Sequence, residues 1–182
     1  GRQLTWDAGV DWSNQNSSQM RFRITADDLV IANFARIEGG FFTMGDSLDG
    51  LTDAPVHSVN VSTVYLFKTE VSKAQWDQVR TWALNNGYPD LVAGYSSSAN
   101  SPAMSVSWYD VVKWCNARSE MEALTPCYYT DEAQTAVYKI GQVDVTNAMV
   151  KWDANGYRLP TEAEWEKAGR GGFSGWRFPW GD

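Results

Sequence analysis

The side chains of this chain best suited to chemistry are two cysteines (Cys115 and Cys127), one histidine (His57), the glutamates Glu162, Glu164 and Glu166, and an acidic stretch with Asp46, Asp49 and Asp53. A cysteine works as nucleophile, metal ligand or redox partner only as a thiolate, and paired sites carry short spacings such as CxxC. Cys115 and Cys127 lie twelve positions apart. That spacing gives no zinc or redox motif; a disulfide between them is sterically conceivable, and a small buried thiol is the commoner state for a cysteine on a helix face. His57 follows Ala54-Pro55-Val56 and faces opposite to Val56 on an extended segment, which suits a surface or hydrogen-bonded structural histidine. Neighbouring glutamates can form an acid/base pair. At a helix start they more often serve as cap and dipole partners, and Arg158 and Arg170 bracket them for an ion-pair cluster. The spacing in DSLDGLTD is not that of a calcium-binding EF-hand loop, so a solvated loop is expected there. Gly39-Gly40 and Gly171-Gly172 lack phosphate-loop spacing and read as turns.

Ten tryptophans carry more information than the titratable groups. An indole has a large apolar body and a polar edge, so it serves equally in a core or as a contact anchor. Trp76, Trp108 and Trp165 fall on the apparent inner faces of helices and are expected in the core. Trp176, Phe178 and Trp180 sit in GGFSGWRFPWGD, which has neither helical nor strand period, and are the candidate ligand contacts.

The elements that would position these groups are legible from capping chemistry. Ser72 with Gln75, Ser107 with Asp110 and Thr161 with Glu164 each place a capping hydroxyl three positions before a side chain able to reach back. Behind them, Trp76, Val79 and Ala83 share one face before Asn85-Asn86-Gly87, and Trp108, Val111, Val112, Cys115 and Ser119 share another. Trp165 and Ala168 do so in the third. LVIANFARIEGGFFTMG predicts two strands turning at Gly39-Gly40 as a hairpin, and extended chain returns from Val56 to Phe67. Segment 126–157 reads as short strands and polar turns. The sum is α+β with much irregular structure. Residues 1–29 read as an arm or the end of a preceding β module, and residues 30–182 as the main domain. Fifteen Lys and Arg against 22 Asp and Glu give a net charge of −7, which makes nucleic acid a poor partner. No apolar run approaches the roughly 18 residues of a membrane span.

The phrases FARIEGGFFTMG, DAPVHSVNV, TEVSKAQWDQV, SPAMSVSWYDVVKWCNARS, LTPCYY, ANGYRLPTEAEWEKAGRGG and RFPWGD together resemble the formylglycine-generating enzyme, or sulfatase-modifying factor, family. The likeness runs from about Phe34 to Asp182. It implies the C-type-lectin-like fold of that family, of which this chain would be the N-terminal half. In the family's enzymes calcium-binding loops, a GNVWEW-like segment and a copper-binding cysteine pair follow the residues matching PWGD. Cys115 matches a helix position of the family's YCNW phrase and Cys127 an LTPCY phrase of bacterial relatives, so neither corresponds to that pair. The histidine-rich sulfoxide synthase branch is excluded because His57 is the sole histidine.

The expectation is therefore a non-catalytic ligand-binding or display module of a bacterial surface or periplasm, similar to the variable proteins of diversity-generating retroelements. The alternatives are a formylglycine-generating oxidase acting on a sulfatase cysteine, or a structural domain of a lipoprotein. No catalytic residue, metal or cofactor is assigned to this chain, with calcium reserved for the complete domain. The expected partners are a protein or surface ligand and the C-terminal remainder of its own domain. Without that remainder the strands at 34–44 and 56–67 would lack neighbours, and residues 1–182 are not expected to fold alone.

Overall fold

Two stretches, 34–44 and 57–67, run antiparallel as a ribbon in the computed structural model, which describes residues 33–47 and 54–173. These belong to the unit Asn33–Asp182; residues 1–29, expected as an arm, lie outside them. Strand β1 (Phe34–Ile37) pairs with β4 (Val64–Phe67), and β2 (Gly40–Met44) with β3 (His57–Val61). Both ladders keep one register, from Phe34 opposite Phe67 to Met44 opposite His57. The expected hairpin at Gly39-Gly40 is thus corrected: β1 and β2 do not pair with each other but follow one another along one side of the ribbon. Glu38-Gly39 instead faces Ser62-Thr63 at a gap in the ladder, where the Gly39 N–H donates to Thr63 Oγ1 at 3.0 Å. A Cβ on Gly39 would come within 2.8 Å of the Thr63 nitrogen, so the glycine serves close approach and not a turn.

Three helices follow: α1 (Lys73–Ala83), α2 (Trp108–Met121) and α3 (Glu162–Arg170). Each opens with the expected reciprocal capping box, on Ser72, Ser107 and Thr161. Helix α1 buries Trp76, Val79 and Ala83, as its period predicts, and packs on α2 through parallel Trp76 and Trp114 rings 5.7 Å apart. The Trp114 indole N–H donates to the Trp76 carbonyl at 3.2 Å, which satisfies the polar edge of a buried ring.

Helix α2 is not one-sided. Val112 through Ala117 are all buried, because neighbours cover the middle of the helix all round. Lys113 is buried with Nζ 3.0 Å from Asp90 and 3.7 Å from Asp110. Burial alone would raise the Asp90 carboxyl; the N–H of Gly141 and the Lys113 ammonium outweigh it and hold the group below its ordinary range. Asn116, wholly buried, donates to the carbonyls of Tyr128 and Tyr138 at 2.8 and 3.0 Å and accepts from the Tyr128 N–H at 3.0 Å. One turn on, Ser119 Oγ donates to the Cys115 carbonyl and accepts from the Tyr157 N–H, both at 2.8 Å. Gly156 passes so close that a Cβ there would overlap Ser119 and the Thr125 carbonyl.

Segment 126–157 thus hangs on side chains of α2. Among the described residues it holds single bridges, Tyr128 with Val150 and Tyr129 with Val137, and a 3-10 turn at Asn147–Met149, in place of the expected short strands. Trp108 and Trp165, expected in the core, are 45% and 65% exposed. Glu164, their apparent polar counterpart, is buried instead, because its carboxylate takes both a bidentate Arg158 fork at 2.6 and 2.7 Å and the Thr161 N–H.

Two outcomes are expected. Replacing Asn116 by Ala leaves the Tyr128 N–H and the Tyr138 carbonyl without partners, while the Tyr128 carbonyl keeps the Tyr138 N–H, and should cost about 2 kcal/mol or more in urea unfolding of the intact protein. Asn85→Ala at an exposed site should cost well under about 1 kcal/mol, and equal losses would contradict the role assigned to Asn116. Glu164 sits below its ordinary range: burial opposes this, but Arg158 and the Thr161 cap outweigh it. Its contribution is therefore present above the unfolded value of 4.5 and lost as pH falls through the lower folded value. Between about pH 7 and about pH 3 the wild type should lose more stability than Glu164→Gln; parallel curves would show that the pair contributes nothing.

Candidate functional site

Helix α3 lies along β2 and is fixed at three points to the main chain of Gly40 in β2 and of Gly45 just after it. Lys167 Nζ donates to the Gly40 carbonyl at 2.7 Å, Glu166 accepts the Gly45 N–H at 2.8 Å, and Arg170 donates to the Gly45 carbonyl at 2.9 Å. Arg170 also bonds Glu166 through Nε at 2.8 Å, so the expected cluster of Arg158, Arg170 and the glutamates exists as two separate pairs. Gly45 is needed here: its φ of +89° is left-handed, and a Cβ would meet the Pro55 carbonyl oxygen at 2.6 Å.

Between the C-terminal turn of α3 and the first half of the ribbon lies a cleft of about 580 Å³. Ile37, Phe41, Phe42 and Phe173 form its apolar walls. Phe41 is 77% exposed, since its side of β2 carries Thr43 and faces Asn60 and Ser58 on β3, none of which covers it. Of the three cations along it, Arg36 pairs with Glu38 and Arg170 with Glu166, and Lys167 is bonded to the Gly40 carbonyl. Lys167 stands 5.8 Å from the centre of the Phe42 ring, where the ring's negative face supports the ammonium. Periodicity gave no pointer to this cleft.

The cysteines are free and buried. Burial pushes the Cys115 thiol up to about 12, reinforced by Cys127 and opposed by Arg118. Cys127 is raised as well, by burial against the pull of Arg158 and the Gly156 N–H. Both are held as thiols near neutral pH, so neither is an activated nucleophile. The histidine is exposed, with Nδ1 2.7 Å from the Pro55 carbonyl, as suits a structural role. It lines a second recess of about 490 Å³ with Glu162 and Glu166. No group of three or more His, Cys, Asp or Glu able to hold a metal occurs among the described residues. Nor is any helix among them long and apolar enough to cross a membrane. Trp176, Phe178 and Trp180, the candidate ligand contacts, lie outside the described residues, as do Asp49 and Asp53 of the acidic loop. The last described residue before those aromatics, Phe173, lines the larger cleft.

Residues 22–182 match the model of the sulfatase-modifying factor enzyme 1-like domain. The chain is 36% identical over 153 residues to chaperone protein LppX of Paenibacillus barcinonensis, covering 81% of this chain and 46% of that protein. It is 30% identical over 163 residues to the formylglycine-generating enzyme of Streptomyces coelicolor, covering 81% and 50%. It superposes on Treponema denticola variable protein 1 with a TM-score of 0.57 at 26% identity, over 76% of this chain and 52% of that one. The chain spans about half the length of the relatives it matches. With its α+β architecture and the sequence phrases that carry the likeness, it belongs to the sulfatase-modifying factor, or formylglycine-generating enzyme, family.

Proposed function

We propose that this chain is part of a non-catalytic module that binds another protein, located outside the cytoplasm, on the lectin-like scaffold of its family. The observation that carries the reading is the cleft beside α3, where the exposed Phe41 stands on a ribbon whose main chain is fixed by three side-chain bonds. Rigid aromatic side chains lose little entropy on contact and dominate the energetics of interfaces. The names of two relatives, a chaperone and a variable protein, fit a role in contact rather than in turnover. The buried thiols fit it too, since neither Cys115 nor Cys127 offers a thiolate. The reading assigns no cofactor to these residues.

The oxidase reading has its own support in the likeness to the Streptomyces enzyme. The two separate cleanly. Incubated with copper, oxygen, a thiol reductant and a sulfatase-type cysteine peptide, the intact protein should leave the mass of the peptide unchanged. Conversion of the cysteine to the aldehyde would overturn the non-catalytic reading. Without the thiol reductant, Cys115 and Cys127 should resist a thiol-alkylating reagent until urea unfolds the chain, and rapid labelling of the native protein at either would contradict their burial.

A further inference from the structure

We infer that Asn86, in the turn after α1, is a site of spontaneous covalent modification that converts it to aspartate and isoaspartate, and that Asn155, in the same local sequence, is protected. Asn-Gly occurs twice in the chain and is followed by tyrosine each time, as Asn86-Gly87-Tyr88 and Asn155-Gly156-Tyr157. In the reaction the glycine main-chain nitrogen attacks the asparagine Cγ. A Cγ–N bond forms, the Cγ–Nδ2 bond breaks, and ammonia leaves with the proton of the glycine N–H, which closes a five-membered succinimide. Water then opens the ring at either carbonyl to give aspartate or isoaspartate, so water is the sole co-reactant and no electrons are transferred. Glycine favours the attack because no Cβ hinders its nitrogen and its backbone turns freely.

With the tripeptides identical, their surroundings decide the outcome. The attack needs an unengaged glycine N–H, a carboxamide that can turn, and a backbone that can move between them. Asn86 and Gly87 are both exposed. No hydrogen bond from the Gly87 N–H occurs among the described residues. The Asn86 carboxamide is held by one bond, from Nδ2 to the Trp82 carbonyl at 2.7 Å, at an exposed position where water replaces it at little cost. A Cβ on Gly87 would meet only the Lys139 side chain, at 3.3 Å, so no main chain crowds this turn.

At Asn155 each condition is reversed. Its Oδ1 accepts the Thr125 N–H at 2.9 Å, and the Gly156 N–H is engaged by the Cys127 thiol. Gly156 passes so close to α2 that a Cβ there would lie 2.2 Å from the Thr125 carbonyl oxygen and 2.6 Å from Ser119 Oγ. The next amide, of Tyr157, is bonded to that same hydroxyl at 2.8 Å. Ring closure at Asn155 therefore requires α2 and the loop to part, whereas Asn86 requires only a local rearrangement of an exposed turn. The product at position 86 places a carboxylate beside the carbonyl end of α1, where the helix dipole disfavours negative charge, and lacks the donor to Trp82.

The intact protein, aged at mildly alkaline pH and body temperature beside a sample kept in guanidinium chloride, tests this by digestion and mass spectrometry of the two Asn-Gly-Tyr peptides. Isoaspartate is told from aspartate by an isoaspartyl methyltransferase, which methylates only the former. In denaturant both peptides should lose ammonia at comparable rates. In the native protein Asn86 should react within about ten-fold of its rate in denaturant, and Asn155 at least about ten-fold more slowly than Asn86. A smaller difference between the two native sites overturns the inference, as does stronger protection of native Asn86 or an absence of reaction at Asn86 in both samples.

Discussion

The Asn116 carboxamide, wholly buried on α2, takes the N–H and the carbonyl of Tyr128 and the carbonyl of Tyr138. Segment 126–157 has almost no ladder of its own among the described residues, and buried main-chain groups without partners cost about 1 to 3 kcal/mol each. One side chain therefore satisfies the Tyr128 N–H and the Tyr138 carbonyl, which the segment's own main-chain bonds leave open. Ser119 repeats the arrangement a turn later with the Tyr157 N–H, and Tyr128 in turn uses its hydroxyl to accept the Leu159 N–H at 2.9 Å. The chain is thereby delivered to Arg158 and the start of α3 in a fixed position. Irregular backbone persists here because α2 side chains satisfy the groups that the segment's own main-chain bonds, such as Tyr129 N–H to Met149 and Lys151 N–H to Cys127, leave over.

The ribbon is tied to the same helix by a different chemistry. Arg118 stands 5.0 Å from the Phe67 ring centre and 4.5 Å from that of Tyr157, with Phe34 stacked on Phe67 at 4.1 Å. Its Nε bonds Glu122 at 3.0 Å, and the Tyr157 hydroxyl donates to the same carboxylate at 2.5 Å. The guanidinium therefore has both a charge partner and aromatic faces, a combination lysine would not reproduce. Helix α2 thus holds one end of the ribbon through Arg118, while α3 holds the other through Lys167, Glu166 and Arg170. The cleft lies beside α3 along β2 and the end of β1, so the exposed Phe41 stands on backbone that is held at both ends.

What was legible in the sequence was local. The three capping boxes, and the end of α1 at Asn85-Asn86-Gly87, depend on residues three or four apart, and the structure contains them all. The Trp76, Val79 and Ala83 face of α1 also held, because one helix covers it. Face assignment failed where coverage depends on distant chain. Trp108 sits at the first turn of α2, beyond the part that neighbours surround, and Trp165 lies beside the glutamate that Arg158 draws inward. Gly39-Gly40 misled because glycine serves close approach as well as turns, and only the partner strand shows which. The likeness to the family was carried by long phrases around the third helix. The cleft, made of residues more than a hundred positions apart, had no local signature.

The central claim is that α2 side chains give the irregular segment its order, and native-state hydrogen exchange tests it most directly. The amides of Tyr128 and Tyr157, which are bonded to Asn116 and Ser119, should exchange only with the global opening that releases the middle of α2, at the same free energy as the amides of Trp114 and Ala117. Exchange of the Tyr128 and Tyr157 amides through a lower-energy opening, with the α2 amides still protected, would mean that the segment is ordered independently of the helix and would contradict that claim.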